Sequence, residues 1–498
     1  MQGIGDWAVK RALISGNDVA FVTGGKEWTY GEFNTRVDKL ANTLQNTFHV
    51  RRGDRISAVV INSIECLEIL FAAAKLGAIF TPINVRLTKR EIAYILDDLG
   101  TELLFVHDMF TQAREAAAEP GVRVRNIVAI GPEYDALMDT AEATPVTPQA
   151  NPDDVAVIMY TSGTTGRPKG AMLTHENLRA NAAALTPSFG LSATDVTLTA
   201  LPMFHIGGLG LHTLPFIYVG ARNVILQAFV PAQVAEMIGK HKPTQLLLVP
   251  TMWEALMALP DIESIDWSSL NLAIISGAPA SVPVLQFFNS LGVPLAEGFG
   301  MTECAPGIAM LAPEYVSKKA GSIGRALFDI DTRIVDEMDQ DVPVGDVGEL
   351  LVRGTNVFAG YWMRPQETAH ALRGGWFHSG DMGRVDDDGF ITLVDRKKDM
   401  LISGGENIYP REIELTLSEM PGVEAVSVVG ATDPKWGETP VAFVIATGVP
   451  SLSEQEVIDF ARERLAKFKT PTRVEFVDAF PLTATGKIQK NLLREQLN

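Results

Sequence analysis

Short apolar segments alternate with helical patterns over the first 390 residues, and this alternation restricts the fold more than any other feature. The helical segment from Thr174 to Leu185 is one example, because it opens on a threonine that can cap a helix. Strand candidates on either side are VAVIMY (155–160), LLLVP (246–250), LAIISG (272–277) and VPLAEGF (293–299). Strands that alternate with helices predict an α/β core with largely parallel sheets.

The pattern changes from about Arg325, where strand and turn signals predict a mostly β subdomain over about 325–394. A smaller unit follows. It contains two apolar strand candidates, a helix opened by a capping box from Ser453 to Glu456, a third strand candidate and a short final helix. This order, β then α then β, predicts a compact α+β domain at the C-terminus.

Length, charge and cysteine content exclude several classes of protein. A chain of 498 residues is long enough for two to four structural units. The net charge of −18 and the absence of a basic run argue against a nucleic-acid partner. Cys66 and Cys304 are the only cysteines, which excludes a disulfide framework and suits a reducing cytoplasm.

Apolar segments long enough for a membrane span are also missing from the sequence. The most apolar stretch, 70–83, contains Lys75 and is shorter than the roughly 20 residues that a spanning helix needs. The first 18 residues lack the apolar core of a secretory signal. We therefore expect no transmembrane segment and a cytoplasmic location.

The segment YTSGTTGRPKG (160–170) has the composition of a phosphate-binding loop. Its glycines permit close approach of the backbone, its hydroxyls can donate hydrogen bonds, and Lys169 adds a compact positive charge. A Walker-type loop would place a serine or threonine after the lysine, where this chain has Gly170. The alternative is a solvent loop rich in turn formers. The candidate phosphate ligands are Thr161, Ser162, Gly163, Thr164, Thr165, Gly166 and Lys169.

Further blocks follow in a fixed order: LPMFHIGG (201–208), ISGAP (275–279), GFGMTE (298–303), GWFHSGDMG (375–383), DRKKDMLISGGENIYPREIE (395–414) and PLTATGK (481–487). Together with the loop they resemble the adenylate-forming superfamily, which includes acyl-CoA synthetases, adenylation domains of peptide synthetases and luciferases. The resemblance implies an ATP-dependent acid–CoA ligase that works through an acyl adenylate, with Mg²⁺ as cofactor and ATP and CoA as co-substrates. It also implies an N-terminal domain (1–394), a hinge (395–398) and a mobile C-terminal domain (399–498).

The resemblance assigns roles in the ATP site. Thr161 and Glu303 would bind Mg²⁺, which prefers oxygen ligands and uses few protein side chains beside substrate phosphates. Lys487 would lie over the carboxylate and the α-phosphate and is the main catalytic candidate, together with Glu303, Thr161 and His205. The remaining ATP candidates are Gly277, Ala278, Pro279, Glu297, Gly298, Phe299, Gly300, Thr302, Asp381 and Arg396.

The acid pocket implied by the resemblance contains His205, Gly207, Gly277, Gly300 and Met301. Peptide-synthetase relatives carry an aspartate where this chain has His205, so we expect an acid without an α-amino group. Acetate-specific relatives narrow the pocket with a tryptophan that GFGM lacks. A medium-chain or long-chain fatty acid, or an aromatic acid such as cinnamate or ferulate, remains open.

The resemblance places the hinge at Lys398 and the CoA site at Ser403, Gly404, Gly405, Trp436 and Lys469. Cys304, next to Glu303, suggests a covalent thioester, but ATP already activates the acid and a lone cysteine is more often a packing residue.

Other activities remain open within the resemblance. These are a fatty acyl-AMP ligase that loads a carrier protein, a luciferase-like oxygenase and a non-catalytic binding relative. The expected partners are small molecules, and a monomer or a homodimer is compatible with the sequence.

Overall fold

The computed structural model describes residues 3–161, 168–278, 281–403, 406–447, 452–482 and 488–497. The chain forms two compact units. The first contains Met1–Thr332 and Val352–Phe377, and the second contains Arg333–Leu351 and His378–Asn498. No helix within the described ranges is both long and apolar enough to span a membrane.

The α-helices are α1 (Gly5–Ser15), α2 (Tyr30–Asn46), α3 (Ile64–Leu76), α4 (Lys89–Leu99), α5 (Thr111–Ala117), α6 (Pro132–Thr140), α7 (His175–Phe189), α8 (Leu214–Val219), α9 (Pro231–His241), α10 (Pro250–Met257), α11 (Val282–Ser290), α12 (Pro313–Val316), α13 (Pro365–Ala371), α14 (Pro410–Ser418), α15 (Glu454–Arg464) and α16 (Lys490–Glu495).

The strands are β1 (Val19–Thr23), β2 (Lys26–Thr29), β3 (Arg55–Val59), β4 (Ile79–Pro82), β5 (Leu103–His107), β6 (Asn126–Ile130), β7 (Val155–Thr161), β8 (Lys169–Thr174), β9 (Val196–Thr199), β10 (Arg222–Ile225), β11 (Gln245–Leu248), β12 (Leu272–Ser276), β13 (Leu295–Gly300), β14 (Gly307–Leu311), β15 (Arg325–Ala326), β16 (Asp331–Val335), β17 (Gly348–Arg353), β18 (Gly360–Tyr361), β19 (Phe377–Val385), β20 (Ile391–Arg396), β21 (Leu401–Ser403), β22 (Glu406–Ile408), β23 (Val423–Asp433), β24 (Gly437–Ala446) and β25 (Arg473–Phe476).

Two large sheets form the first unit. One has nine strands in the order β15-β14-β13-β12-β11-β9-β10-β1-β2, and the other has seven in the order β18-β8-β7-β4-β3-β5-β6. The central neighbours in both sheets are parallel, whereas β2, β14, β15, β8 and β18 pair in antiparallel fashion at the edges. The predicted α/β class with mostly parallel sheets is confirmed.

Helix α4 shows how the local sequence fixes an element beside the seven-stranded sheet. Thr88 and Glu91 form a capping box at its start, and Gly100 takes a left-handed conformation after its end. Its buried residues Ile92, Ile95, Leu96 and Leu99 recur at helical spacing and join the core under this sheet. The helix is therefore held at both ends and along one face.

The start of α7 is the predicted one. Thr174 caps the helix, but the side chain that completes the capping box belongs to Asn177.

The core of the nine-stranded sheet contains an aromatic group in which the rings of Trp253 and Phe288 meet edge to face at 4.7 Å.

A four-stranded sheet in the order β16-β17-β19-β20 and a five-stranded sheet built on β22-β21-β24-β23 form the second unit. Strands β24 and β25 are parallel and are connected through α15, so the expected β-α-β order is present. The capping box between Ser453 and Glu456 opens α15 as predicted.

Residues Val352–Phe377 lie inside the predicted β subdomain, yet they belong to the first compact unit. Within this segment β18 pairs with β8 at the edge of the seven-stranded sheet. The boundaries at 394 and 399 and the hinge between them stay predictions.

Candidate active site

The candidate phosphate loop connects two antiparallel strands. Thr161, the last residue of β7, is the register partner of Lys169, the first residue of β8. The Thr161 hydroxyl donates to the Lys169 carbonyl at 3.5 Å. The predicted ligands Ser162, Gly163, Thr164, Thr165 and Gly166 lie outside the described residues.

Tyr361 lies between two predicted site residues. Its phenol donates a hydrogen bond of 3.0 Å to Oε1 of Glu303, and Nζ of Lys169 lies 5.4 Å from the centre of its ring. The backbone N–H of Phe358 donates to the Glu303 carbonyl at 2.8 Å, which holds the same turn. Burial, followed by the charge and hydrogen bond of Glu303, raises the pKa of Tyr361. The phenol therefore remains protonated and serves as a donor.

The nucleotide candidates of the nine-stranded sheet share one edge. Gly277 and Ala278 follow β12, and Glu297, Gly298, Phe299 and Gly300 lie in the neighbouring parallel strand β13. The carboxyl ends of parallel strands form the usual ligand crevice of open α/β sheets. A Cβ atom on Gly300 would lie 2.1 Å from the Pro306 carbonyl oxygen, so only glycine fits there. Pro279 lies outside the described residues.

The short turn Thr302–Cys304 carries Thr302 and Glu303 directly after β13. Glu303 is half-buried. The structure therefore brings Lys169 and Glu303 to Tyr361, which the sequence analysis missed, and it pairs Thr161 with Lys169. No local signal could have found Tyr361, because it pairs with a carboxylate 58 positions away.

The acid-pocket candidates His205 and Gly207 lie at the start of a π-helical turn, Gly207–Leu211. Asn181 of α7 joins this turn to the segment after Glu303. Its amide donates to the Gly210 carbonyl at 2.7 Å, and its oxygen accepts from the Gly307 N–H at 3.0 Å. A buried amide thus connects the turn after His205 with the segment after Glu303.

A Cβ atom added to Gly207 would have no other atom within 4 Å, so there is open space beside this residue. The His205 side chain is half-buried and meets the Phe204 ring edge to face at 4.7 Å. His212 lies close in sequence but is a core residue, because its ring is buried against the Thr197 hydroxyl. Burial lowers the pKa of His212 to about 3.

In the second unit, Asp381 and Arg396 are cross-strand partners in β19 and β20. Nε of Arg396 lies 2.8 Å from Oδ1 of Asp381, and the Asp381 N–H donates to the Ser379 hydroxyl at 3.0 Å. The Asp381 side chain is buried, whereas that of Arg396 is 44% exposed. The two ATP candidates Asp381 and Arg396 therefore lie side by side.

A second ion pair beside Arg396 was not expected from the sequence. Nζ of Lys397 lies 2.9 Å from Oε2 of Glu349. Burial raises the pKa of Glu349, but the bond to Lys397 and the nearby His378 outweigh it and lower the pKa overall. The hinge candidate Lys398 is exposed in a turn closed by the Asp399 N–H and the Arg396 carbonyl.

Two of the CoA candidates lie close together. Ser403 of β21 is buried and faces Gly437 across the sheet, directly after Trp436, which is 48% exposed. Lys469 instead makes an ion pair of 2.7 Å with Glu412. Gly404, Gly405 and the catalytic candidate Lys487 lie outside the described residues.

Cys304 is fully buried, which favours a packing role over that of a nucleophile. Burial raises the pKa of the Cys66 thiol to about 12.

No group of three or more His, Cys, Asp and Glu side chains in the described parts of the chain could bind a metal ion.

The chain belongs to the AMP-binding enzyme family, whose model matches residues 9–362; the model of the AMP-binding enzyme C-terminal domain matches residues 412–487. Feruloyl-CoA synthase of Amycolatopsis sp is 42% identical over 99% of both chains. Indoleacetate–CoA ligase of Aromatoleum aromaticum is 36% identical over 99% of this chain and 98% of its own.

A solved structure of o-succinylbenzoate coenzyme A synthetase (MenE) from Bacillus subtilis, in complex with ATP and magnesium ion, is also similar. It superimposes with a TM-score of 0.87 at 31% identity, covering 99% of this chain and 98% of its own. The fold and the family define an adenylate-forming enzyme. The protein is an ATP-dependent acid–CoA ligase that releases AMP, with ATP as a substrate.

Proposed function

We propose that the protein converts an aromatic acid of the hydroxycinnamate type, ATP and CoA into the aryl acyl-CoA, AMP and pyrophosphate. The observation that carries the ATP-dependent activation step of this proposal is the grouping of Lys169 and Glu303 around Tyr361, next to the glycine-lined edge of β13. The relatives named for ferulate and indoleacetate support an aromatic acid. His205 in place of an aspartate fits an acid without an ammonium group.

The first half-reaction forms a bond between a carboxylate oxygen of the acid and the α-phosphorus of ATP, and the bond to pyrophosphate breaks. Negative charge accumulates on the phosphates, so preorganised cations and donors lower the barrier. We assign Lys169 and the loop to the outer phosphates, Thr302 to the α-phosphate, and Lys487 to the acid carboxylate and the α-phosphate. Asp381 would accept the ribose hydroxyls, supported by Arg396.

The residues present fit Mg²⁺. A half-buried carboxylate and a threonine hydroxyl are oxygen ligands, and Mg²⁺ commonly uses one or two carboxylates beside substrate phosphates and water. Glu303 and Thr161 would hold the ion, which would neutralise phosphate charge when bound.

In the second half-reaction the CoA thiol loses its proton to solvent, its sulfur forms a bond to the acyl carbon, and the bond from that carbon to the oxygen of AMP breaks. We propose that rotation of the C-terminal domain at Lys398 brings the segment from Ser403 to Gly405 near the thiol. Trp436 presents an exposed ring for the CoA nucleotide. Lys469, which pairs with Glu412, is the candidate for a CoA phosphate. A cytoplasmic location stays a prediction.

A panel of acids tests the substrate proposal directly. Ferulate, cinnamate, indoleacetate and fatty acids of short, medium and long chain would each be incubated with ATP, Mg²⁺ and CoA, and CoA thioester and AMP measured by mass spectrometry. We expect the highest kcat/KM with the hydroxycinnamates. Higher values for fatty acids would refute the aromatic preference, and release of ADP without AMP would refute the adenylate route.

The same panel distinguishes the alternative acceptor. A ligase that loads a carrier protein would form acyl adenylate and pyrophosphate but little CoA thioester. We do not favour this activity, because the relatives described above are named CoA synthases and ligases.

A further inference from the structure

The C-terminal half of α4 contacts both ends of the candidate phosphate loop. The Tyr160 phenol, at the end of β7, donates a hydrogen bond of 2.7 Å to Oδ2 of Asp98. The Tyr94 phenol donates to the Pro168 carbonyl, just before β8, at 3.2 Å. Tyr94 and Asp98 are four residues apart and therefore lie on the same face of the helix. One helix face thus contacts Tyr160 and Pro168, which flank residues 161–167 of the loop.

Segment 361–364 also contacts α4 and β8. Nη2 of Arg364 donates to Oδ1 of Asp98 at 2.6 Å and to the Tyr94 phenol at 3.3 Å. The Trp362 indole donates to the Asp98 carbonyl at 3.1 Å, and its backbone N–H donates to the Gly170 carbonyl at 2.7 Å. Segment 361–364 therefore connects α4 with the beginning of β8.

Asp98 is the centre of these contacts. Its side chain is 12% exposed, and each carboxylate oxygen accepts from a different partner. Hydrogen bonds to a carboxylate are stronger than those between neutral groups, and loss of one partner leaves a poorly solvated charge. Burial, followed by the bond to Asp98, raises the pKa of Tyr160, so its phenol remains a donor.

We propose that Asp98 is a positioning residue that fixes the two ends of the phosphate loop and so prepares it for the polyphosphate of ATP. The inference rests on the proposed role of the loop in ATP binding. A simple attachment of α4 to the sheet would use the same contacts, but it would affect stability alone. A positioning role affects the half-reaction in which pyrophosphate leaves, since only that step needs the outer phosphates held.

The test is Asp98→Asn, which keeps the size of the side chain and removes its charge. We expect kcat/KM for ATP in ATP–pyrophosphate exchange to fall about ten- to hundredfold, the range for one charge-assisted hydrogen bond. CoA thioester formation from supplied acyl adenylate should remain within about twofold. Tyr160→Phe should act in the same direction, and the double variant should lose less than the product of the two effects.

Glu68→Gln is the matched control. Glu68 is a buried carboxylate of the same unit that accepts from Arg36 and, at 2.7 Å, from the Tyr134 phenol. Like Asp98, it accepts hydrogen bonds from one arginine and one tyrosine. None of the hydrogen bonds described for Glu68 involves either end of the loop. We expect a lower Tm for this variant without a selective loss of ATP–pyrophosphate exchange.

Hydrogen exchange gives a readout that does not depend on catalysis. In Asp98→Asn the amides of 159–161 and 169–172 should exchange faster than in the wild type, because the ends of the hairpin open more often. Unchanged exchange there, or equal losses in both half-reactions, would overturn the positioning role. Wild-type protein that shows no ATP–pyrophosphate exchange with any acid would instead refute the proposed function, and the amide measurement would still decide the role of Asp98.

Discussion

Replacement of Tyr361 by phenylalanine removes one hydroxyl that donates to Glu303 at 3.0 Å and leaves the ring beside Lys169 in place. A hydrogen bond to a charged group contributes about 1.5–3 kcal/mol. Glu303 is half-buried, so water can replace part of the lost bond, and we expect the lower end of that range. This corresponds to a loss of about tenfold in the rate of adenylate formation.

The assay is ATP–pyrophosphate exchange measured over a range of Mg²⁺ concentrations. If Tyr361 orients the carboxylate that binds the ion, the Mg²⁺ concentration for half-maximal exchange should rise in Tyr361→Phe, and the KM for the acid should change little. Calorimetric titration of ATP with and without Mg²⁺ gives a second readout, because only the Mg²⁺-dependent part of the affinity should weaken.

Tyr134→Phe is the control for this experiment. Its phenol donates to Glu68 at 2.7 Å in the core of the same unit, so the chemical change is the same while the location differs. The control should lose stability and keep its Mg²⁺ response. Equal Mg²⁺ curves for wild type and Tyr361→Phe would refute the orienting role of Tyr361.

Three further predictions concern other parts of the chain. Lys487→Ala should lower adenylate formation by about two to three powers of ten, while thioester formation from supplied adenylate persists; equal losses in both assays would contradict its assignment. Gly300→Ala should lower the free energy of unfolding by about 1–3 kcal/mol, measured by denaturant titration, because the new Cβ would lie 2.1 Å from the Pro306 carbonyl oxygen. Burial lowers the pKa of His175 to about 4. As the pH falls, the unfolded chain therefore binds a proton at this histidine before the folded chain does. Stability should therefore fall by up to about 3 kcal/mol between about pH 6.5 and pH 4, and His175→Asn should show a shallower decline in Tm.

The sequence predicted the parallel cores because their strands are continuous apolar runs, a signal that local residues carry. The ends of elements were less certain. Strand β7 extends one residue further than the predicted segment, to Thr161, because its antiparallel pairing with Lys169 continues that far. The capping residue Thr174 of α7 was predictable from the sequence. The second side chain of the capping box, that of Asn177, was not, because it depends on which neighbouring side chain turns toward Thr174.

Contacts between distant parts of the chain had no such signal. Strand β18 has two residues and pairs with a strand that precedes it by more than 180 positions, so no periodicity could reveal it. Tyr361 depends on that pairing for its place beside Glu303. In the sequence, Asp98 is likewise an ordinary acidic residue of an amphipathic helix. Its partners Tyr160 and Arg364 are distant in the chain, so only the structure shows the contacts.

The order of segments in the two units has a consequence for synthesis on the ribosome. Residues Arg333–Leu351 belong with His378–Asn498, although Val352–Phe377 between them completes the first unit. Elongation at roughly 5–20 residues per second separates the emergence of these two partners by about one to five seconds. During that interval strand β17, whose buried residues are mostly apolar, lacks its neighbour β19, so one edge of the strand stays unpaired until residues 377–385 have emerged.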